Sequence, residues 1–218
     1  AVTLGDIARI MTDKGDVEQA LKIHQERMQT YEALGDRRSR ALALGEIARI
    51  MKDKGDVDLA LKFHQEEMQT YEALGDRRSR AATLGDIARI MTNKGNVEQA
   101  LKILREQAEI CDALGNQDGI AAANFAIGQL LLNRAIEHSD AAAFQAAYEA
   151  LAASYGIFLR IGRLDGICAV GGALGRVLAM AGQHDEARAV LTRSRDGYQR
   201  LGRDREVAFI EDLLRRIG

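Results

Sequence analysis

Arg9, Arg49 and Arg89 recur at forty-residue intervals in identical company, each preceded by Ile-Ala and followed by Ile-Met. Each also has an acid three residues earlier: Asp6, Glu46 and Asp86. A guanidinium presents a rigid planar fork of donors that matches a carboxylate. Three in register would form a ladder for a chain bearing carboxylate groups. Arg176 holds the equivalent place further on, and Gln129, beside Phe125, interrupts the series. The same residues admit a plainer reading. Acid–arginine pairs at i,i+3 and i,i+4, such as Glu46–Arg49 and Arg49–Asp53, stabilise a helix by roughly 0.2–0.5 kcal/mol each. They would leave a self-neutralised, solvated face, and the sequence alone supports both accounts. Gly5, Gly45 and Gly85 lie one helical turn before the arginines. A mid-helix glycine costs about 1 kcal/mol against alanine. Three in register therefore serve either close helix packing or the approach of a ligand backbone.

The other reactive side chains do not assemble into a catalytic pattern. His24 and His64 are equivalent by the same spacing, but Glu26 and Glu66 stand two positions away and point off the histidine face. No HExxH, dinucleotide or nucleotide-phosphate glycine motif is present, and GGALGR at 171–176 reads as close helix packing. Cys111 and Cys168 form neither a metal-ligand pattern nor a disulfide framework. The expectation is a protein that is not an enzyme, with no cofactor and no metal.

The elements that must position the arginines follow from a repeat. Residues 1–40 and 41–80 align without a gap and differ at eight positions. Repeats of the same scheme fill about 81–120, 121–167 and 168–207, with a tail helix at about 204–216. The chain has no proline among 218 residues, which favours long uninterrupted helices. Each repeat holds two. In the second, Asp36 caps a helix over about 37–53, and Asp56 caps one over about 57–74. Gly75 ends the latter in the left-handed conformation. So YEALGDRRSR, present unchanged at 31–40 and 71–80, stops one helix and starts the next. Small residues recur where helices approach: Ala8, Ala48, Ala88, Gly128 and Gly175 in the first helices, and Ala20, Ala60, Ala100, Ala147 and Ala187 in the second. Neither helix of a pair can bury its apolar face alone, but stacked neighbours can. The predicted fold is all-α: a right-handed α-solenoid of stacked antiparallel helix pairs, organised as one repeat domain over 1–218.

The segment IARIMKDKGDVDLALKFHQEEM, residues 47–68, resembles the tetratricopeptide repeat, with Ala48, Gly55 and Ala60 at the family's small-residue and turn positions. The forty-residue length and the ALGDRRSRA junction are similar to the long subtype of kinesin light chains and of LGN-like spindle regulators. The resemblance implies that first helices line a concave groove. In the second repeat that assigns Leu42, Gly45, Glu46, Arg49, Lys52 and Asp53 to its surface. The peptide-binding candidates are thus Arg9, Arg49, Arg89, Gln129, Arg176, Phe125, Gly45 and Lys52. Acids at Asp6 and Glu46 stand where peptide-binding relatives often carry asparagine, which favours a ligand of mixed charge. A second arginine set, Arg37, Arg38 and Arg40 with Arg77, Arg78 and Arg80, marks the junctions, where a solvated edge is the bland account. Asp118 replaces Arg78 in the next copy.

The fourth repeat departs from the others. NRAIEHSDAAAF, 133–144, replaces the compact turn, with Ala135 near the turn in place of a glycine. That predicts either a longer connection or a second helix extended back to about Asp140. The tail helix, with Val207, Ile210, Leu213 and Leu214 on one side, has the pattern of a solubilising cap. The N-terminal end has no such helix, which suits self-association. The chain begins within a repeat without methionine, as a fragment would.

A net charge of -2 does not steer the chain toward nucleic acid, and no apolar run could span a membrane. The function expected is a cytoplasmic, non-enzymatic scaffold that holds a protein or peptide partner bearing carboxylate groups. The alternative is a structural spacer or sensor arm of a larger signalling protein.

Overall fold

Helix boundaries are decided by two local devices. In the computed structural model, which describes residues 3–217 except the side chains of Arg9 and Asp13, an acid or amide opens most helices and a left-handed residue closes them. Asp36, Asp56, Asp76, Asn116 and Asp140 each accept a hydrogen bond from the backbone N–H three residues on, at 3.0–3.4 Å. At the other end Gly75, with φ +66°, lets Asp76 N–H reach back to Tyr71 C=O at 2.9 Å. The first helix starts on Thr3, whose hydroxyl accepts from Asp6 N–H while the Asp6 carboxylate accepts from Thr3 N–H.

The helices are α1 (Leu4–Asp13), α2 (Val17–Ala33), α3 (Arg37–Asp53), α4 (Val57–Ala73), α5 (Arg77–Asn93), α6 (Val97–Ala113), α7 (Gln117–His138), α8 (Ala141–Ile161), α9 (Leu164–Met180), α10 (His184–Arg200) and α11 (Asp204–Arg216). No strand occurs among the described residues. The predicted bounds of α3 are reproduced, and those of α4 to within one residue. Two compact units divide the chain at Ile103 and Leu104, within α6.

In the unit Ala1–Ile103, helices adjacent in sequence pack against each other from α1 through α5. Ala8 and Ala20 are fully buried where α1 meets α2, and Ile50 of α3 packs on both. One repeat later Ile90 packs with Met51 and Ala60. Each repeat thus inserts an isoleucine into the repeat before it. Ile50 and Ile90 are 5% and 1% exposed, whereas their copy Ile10, with no pair before it in the structure, is 43% exposed.

Junction arginines join these layers. Arg38 donates from Nε to Asp76 at 3.1 Å, and Arg40 reaches Glu66 at 2.6 Å. Arg38 stays at a solvated edge, with its side chain 61% exposed, and only the less exposed Arg40 departs from the solvated-edge account of the junctions. Asp76 gains in return. Burial opposes its charge, but Ser79 and Arg38 outweigh that and hold its carboxyl below the usual range.

In the unit Leu104–Gly218, α7 through α10 pack in sequence order and α11 closes on α10. Val207, Leu213 and Leu214 rest on a core of Cys168, Leu191, Tyr198 and Ile210, as a capping helix requires. Arg163 pairs with Asp118. Arg163 stands at the position of Asp76 and Asp118 at that of Arg38, so the same link is made with its charges exchanged. The fourth repeat does not have a longer connection. Ala135 cannot adopt the left-handed turn as cheaply as Gly55 does, so α7 runs on to His138, and Ser139 takes the turn at φ +52°. Asp140 then caps α8, as the alternative expectation had it.

Glycine at the crossing of α9 and α10 is a packing requirement. A Cβ on Gly175 would lie 2.4 Å from Leu191 Cγ, and Leu191 is fully buried. Gly175→Ala should destabilise the fold by about 1–3 kcal/mol, the cost of overpacking. Gly156 in α8 is exposed with nothing near its would-be Cβ. There the same change should stabilise by up to about 1 kcal/mol. Chemical denaturation of the two variants checks the contrast.

Candidate functional site

Helical periodicity places Glu46 and Arg49 on one face of α3, and Asp86 and Arg89 on the matching face of α5. Arg49 Nη1 donates to Glu46 at 2.8 Å, and its Nη2 donates to Asp86 at 3.3 Å across to the next repeat. Asp86 also accepts from Arg89 Nη2 at 2.5 Å. The arginines therefore stand in an alternating row, Glu46–Arg49–Asp86–Arg89. Burial works against the charge of Arg49, yet Glu46, Asp86 and Glu67 outweigh it and raise the pKa of the guanidinium. The row stays open: the Arg49 and Arg89 side chains are 46% and 54% exposed, and Asp86 between them only 16%.

The remaining candidates sort by environment. Arg9 lies on α1, but its side chain is outside the described residues. Lys52 is half-buried and pairs with Asp53 at 3.0 Å, so Asp53 is engaged there. In the other compact unit, Gln129 and Arg176 are exposed on α7 and α9, and Phe125 is half-buried. Gly45 is buried, so it is not part of an open groove surface. A Cβ there would lie 2.4 Å from Glu67 Oε1, and the missing side chain makes room for that carboxylate. Close packing, rather than ligand access, accounts for this glycine.

Glu67 leads to a column of residues that periodicity did not single out. It is 5% exposed and accepts a hydrogen bond from His64 Nδ1, 2.8 Å away, itself 1% exposed. Beside them the Tyr71 hydroxyl is buried without a hydrogen-bond partner among the described residues. Burial first, then Glu67, push its pKa up to about 12. One repeat earlier the same three positions are His24, Arg27 and Tyr31. Arg27 Nη1 lies 3.1 Å from His24 Nδ1, and its guanidinium sits over the Tyr31 ring at 5.8 Å. An arginine can only donate, so His24 Nδ1 accepts and is unprotonated. Replacing Glu67 by Arg27 thus reverses the role of one ring nitrogen.

Later repeats place no ionisable group at the first two positions of this column. Leu104, Leu151 and Leu191 occupy the histidine position, all buried. Ser154 and Ser194 occupy that of Glu67, donating to Ala121 C=O at 2.7 Å and Cys168 C=O at 2.6 Å. The sequence did carry a signal: among the eight differences between residues 1–40 and 41–80, Arg27 against Glu67 is the one charge reversal.

A cavity of about 440 Å³ opens between α1, α2 and α3. Its lining includes Gly5, His24, Arg27, Glu46 and Arg49. Burial and the Arg27 charge lower the His24 pKa, against a smaller opposing effect of Glu46. Cys111 and Cys168 are buried free thiols, and burial raises both their pKa values. Among the described residues, no group of three His, Cys, Asp or Glu could hold a metal ion. Among them, too, no helix is long and apolar enough to cross a membrane.

The lowered His24 pKa carries a pH signature. A histidine whose folded pKa lies below its unfolded value of about 6.5 contributes fully above that pH. Its contribution falls as pH drops below 6.5, because the unfolded state then binds more protons. His24→Leu, which installs the residue found in later repeats, should raise the melting temperature more at pH 5.5 than at pH 7.5. Equal gains at both values would show that His24 does not titrate in this way.

Comparison with known proteins agrees with this architecture. Residues 3–38 match the tetratricopeptide repeat family. No curated protein matches the chain. A putative kinesin light chain from Podosopora anserina with nearly identical TPR-like repeats is 21% identical, with a TM-score of 0.63 over 92% of this chain and 95% of that one. Aspartyl phosphate phosphatase F from Bacillus subtilis is 10% identical, with a TM-score of 0.83 over 95% of this chain but only 53% of that protein. A Rap protein complexed with Competence and Sporulation Factor is 14% identical, with a TM-score of 0.64 over 98% of this chain and 73% of that one. Residues 3–38 thus match the tetratricopeptide repeat that residues 47–68 resemble, and the fold of the chain is similar to that of solved proteins with such repeats.

Proposed function

We propose that this chain is a non-enzymatic interaction scaffold whose first-helix face on α1, α3 and α5 holds a peptide or helix of a partner protein. The observation that carries the reading is the alternating row Glu46–Arg49–Asp86–Arg89. Asp86 braces two guanidiniums from between them while leaving both about half exposed. Such bracing fixes the donor fork before a ligand arrives, so less side-chain freedom is lost on binding. The interleaved acids favour a ligand of mixed charge over a run of carboxylates. Phe125, Gln129 and Arg176 offer an apolar ring, an amide and a further guanidinium on the first helices of the other compact unit. The complexed Rap protein, of similar helical architecture, supports a binding role.

Selection of peptides from a random heptapeptide library on the intact chain tests this reading. For a selected peptide, Arg49→Ala should weaken binding by about 1.5–3 kcal/mol, the worth of a charged hydrogen bond. Arg49→Ala with Arg89→Ala should weaken it further, with helix content unchanged. A spacer would show instead a small loss of stability and no selected peptides.

A further inference from the structure

At the first junction one arginine links three helices. Arg40 of α3 lies between Glu32 in the last turn of α2, at 3.8 Å, and Glu66 of α4, at 2.6 Å. The same set returns in sequence one repeat on, as Glu72, Arg80 and Glu106. In the unit Leu104–Gly218 the register of Gly162 and Ala187 puts Leu159, Ile167 and Arg193 in these three places. The central guanidinium has become an isoleucine, one carboxylate a leucine and the other an arginine. No long side chain then fills the middle, and the three residues line a cavity of about 470 Å³ between α8, α9 and α10. Leu164 extends its apolar side, and Arg200 adds a second guanidinium. Of its lining only Asp196 is acidic, and Arg195 holds that carboxylate at 2.7 Å. Arg193 reaches the neutral Tyr155 hydroxyl. Neither Arg193 nor Arg200 pairs with a carboxylate among the described residues. Leu159 is 37% exposed in a place where earlier repeats carry glutamate.

We infer that the cavity between α8, α9 and α10 binds a small amphiphilic carboxylate of the medium-chain fatty acid class. Its apolar chain lies on Leu159, Leu164 and Ile167, and its carboxylate meets Arg193 in the field of Arg200. The substitutions dictate both halves of this ligand. Loss of the central guanidinium and of one acid leaves an apolar hollow, and exchange of the other acid for Arg193 puts a carboxylate-matching fork at its edge. The volume of about 470 Å³ lies within the range of about 300–1,000 Å³ usual for small-ligand cavities. A stable protein interface buries about 800 Å² on each partner. An apolar lining of three large side chains suits a small molecule instead. The site lies wholly within the unit Leu104–Gly218, away from the row Glu46–Arg49–Asp86–Arg89, and does not rest on the peptide-binding reading.

Isothermal titration of the intact chain with sodium octanoate and sodium decanoate tests the site. Saturable binding is expected, tightening about fourfold for each added methylene that is buried. Leu159→Glu restores the residue of earlier repeats at an exposed position and should weaken decanoate binding about tenfold or more. Arg193→Gln should do the same, and octanamide should bind about tenfold more weakly than octanoate, since each removes a charged hydrogen bond. Methyl resonances of labelled leucine and isoleucine should shift on decanoate addition, centred on Leu159, Leu164 and Ile167. Unchanged affinity in both Leu159→Glu and Arg193→Gln would overturn the site. So would equal affinity for octanoate and octanamide, methyl shifts centred elsewhere, or no saturable binding. Sedimentation showing a dimer that Leu159→Glu dissociates would give the cavity to a second copy and overturn it too. Both substituted side chains are exposed, and thermal melts of the variants separate loss of binding from loss of fold.

Discussion

Two helices can cross closely only where neither carries a bulky side chain, and the packing of this chain depends on that constraint. Ala8 meets Ala20, and the same small positions recur as Ala48 with Ala60 and as Gly175 with Ala187. Close crossing brings the larger residues on either side into contact, and it makes a slot into which the next repeat inserts Ile50 or Ile90. Burial is then shared between successive pairs. A pair taken alone would leave its isoleucine slot open, as the 43% exposure of Ile10 illustrates.

The polar links follow the same layering. Arg38 to Asp76 and Asp118 to Arg163 occupy equivalent positions with opposite signs. The position of the pair is kept while its polarity is not, so the local geometry asks for one acid and one base and is indifferent to which helix supplies each. Exposed pairs of this kind contribute about 0–1 kcal/mol each. They set register and junction angle within a layer more than they add stability, which comes from the apolar slots.

Near-identity between the first two repeats also isolates what a single residue does. His24 and His64 are both buried, and Gly5 and Gly45 both leave space above the second helix. With Glu67 that space is filled by an internal carboxylate. With Arg27 it becomes a cationic wall of a cavity. Later repeats place leucine and serine in the same column and satisfy the serine hydroxyl on a backbone carbonyl. One structural column thus carries a histidine–carboxylate hydrogen bond, an arginine over a tyrosine ring and a hydroxyl–carbonyl hydrogen bond.

Local rules made much of this legible without coordinates. The Asp caps, the turn glycines and the forty-residue recurrence of small residues determined the helix pairs, because each acts within a few residues of chain. They reached the tail helix too, and they limited the irregular fourth repeat to two outcomes, between which the helix preference of Ala135 decided. What periodicity could not supply was the partner of a side chain on another helix. Arg49 to Asp86, Glu67 over Gly45 and Asp118 against Arg163 join residues about 20–45 positions apart, and pairing at that distance is a property of stacking rather than of sequence spacing. Identical residues were given different fates for the same reason. Ile10, Ile50 and Ile90 share one local sequence, yet only the latter two are buried, because burial depends on whether a preceding pair of helices is there to receive them.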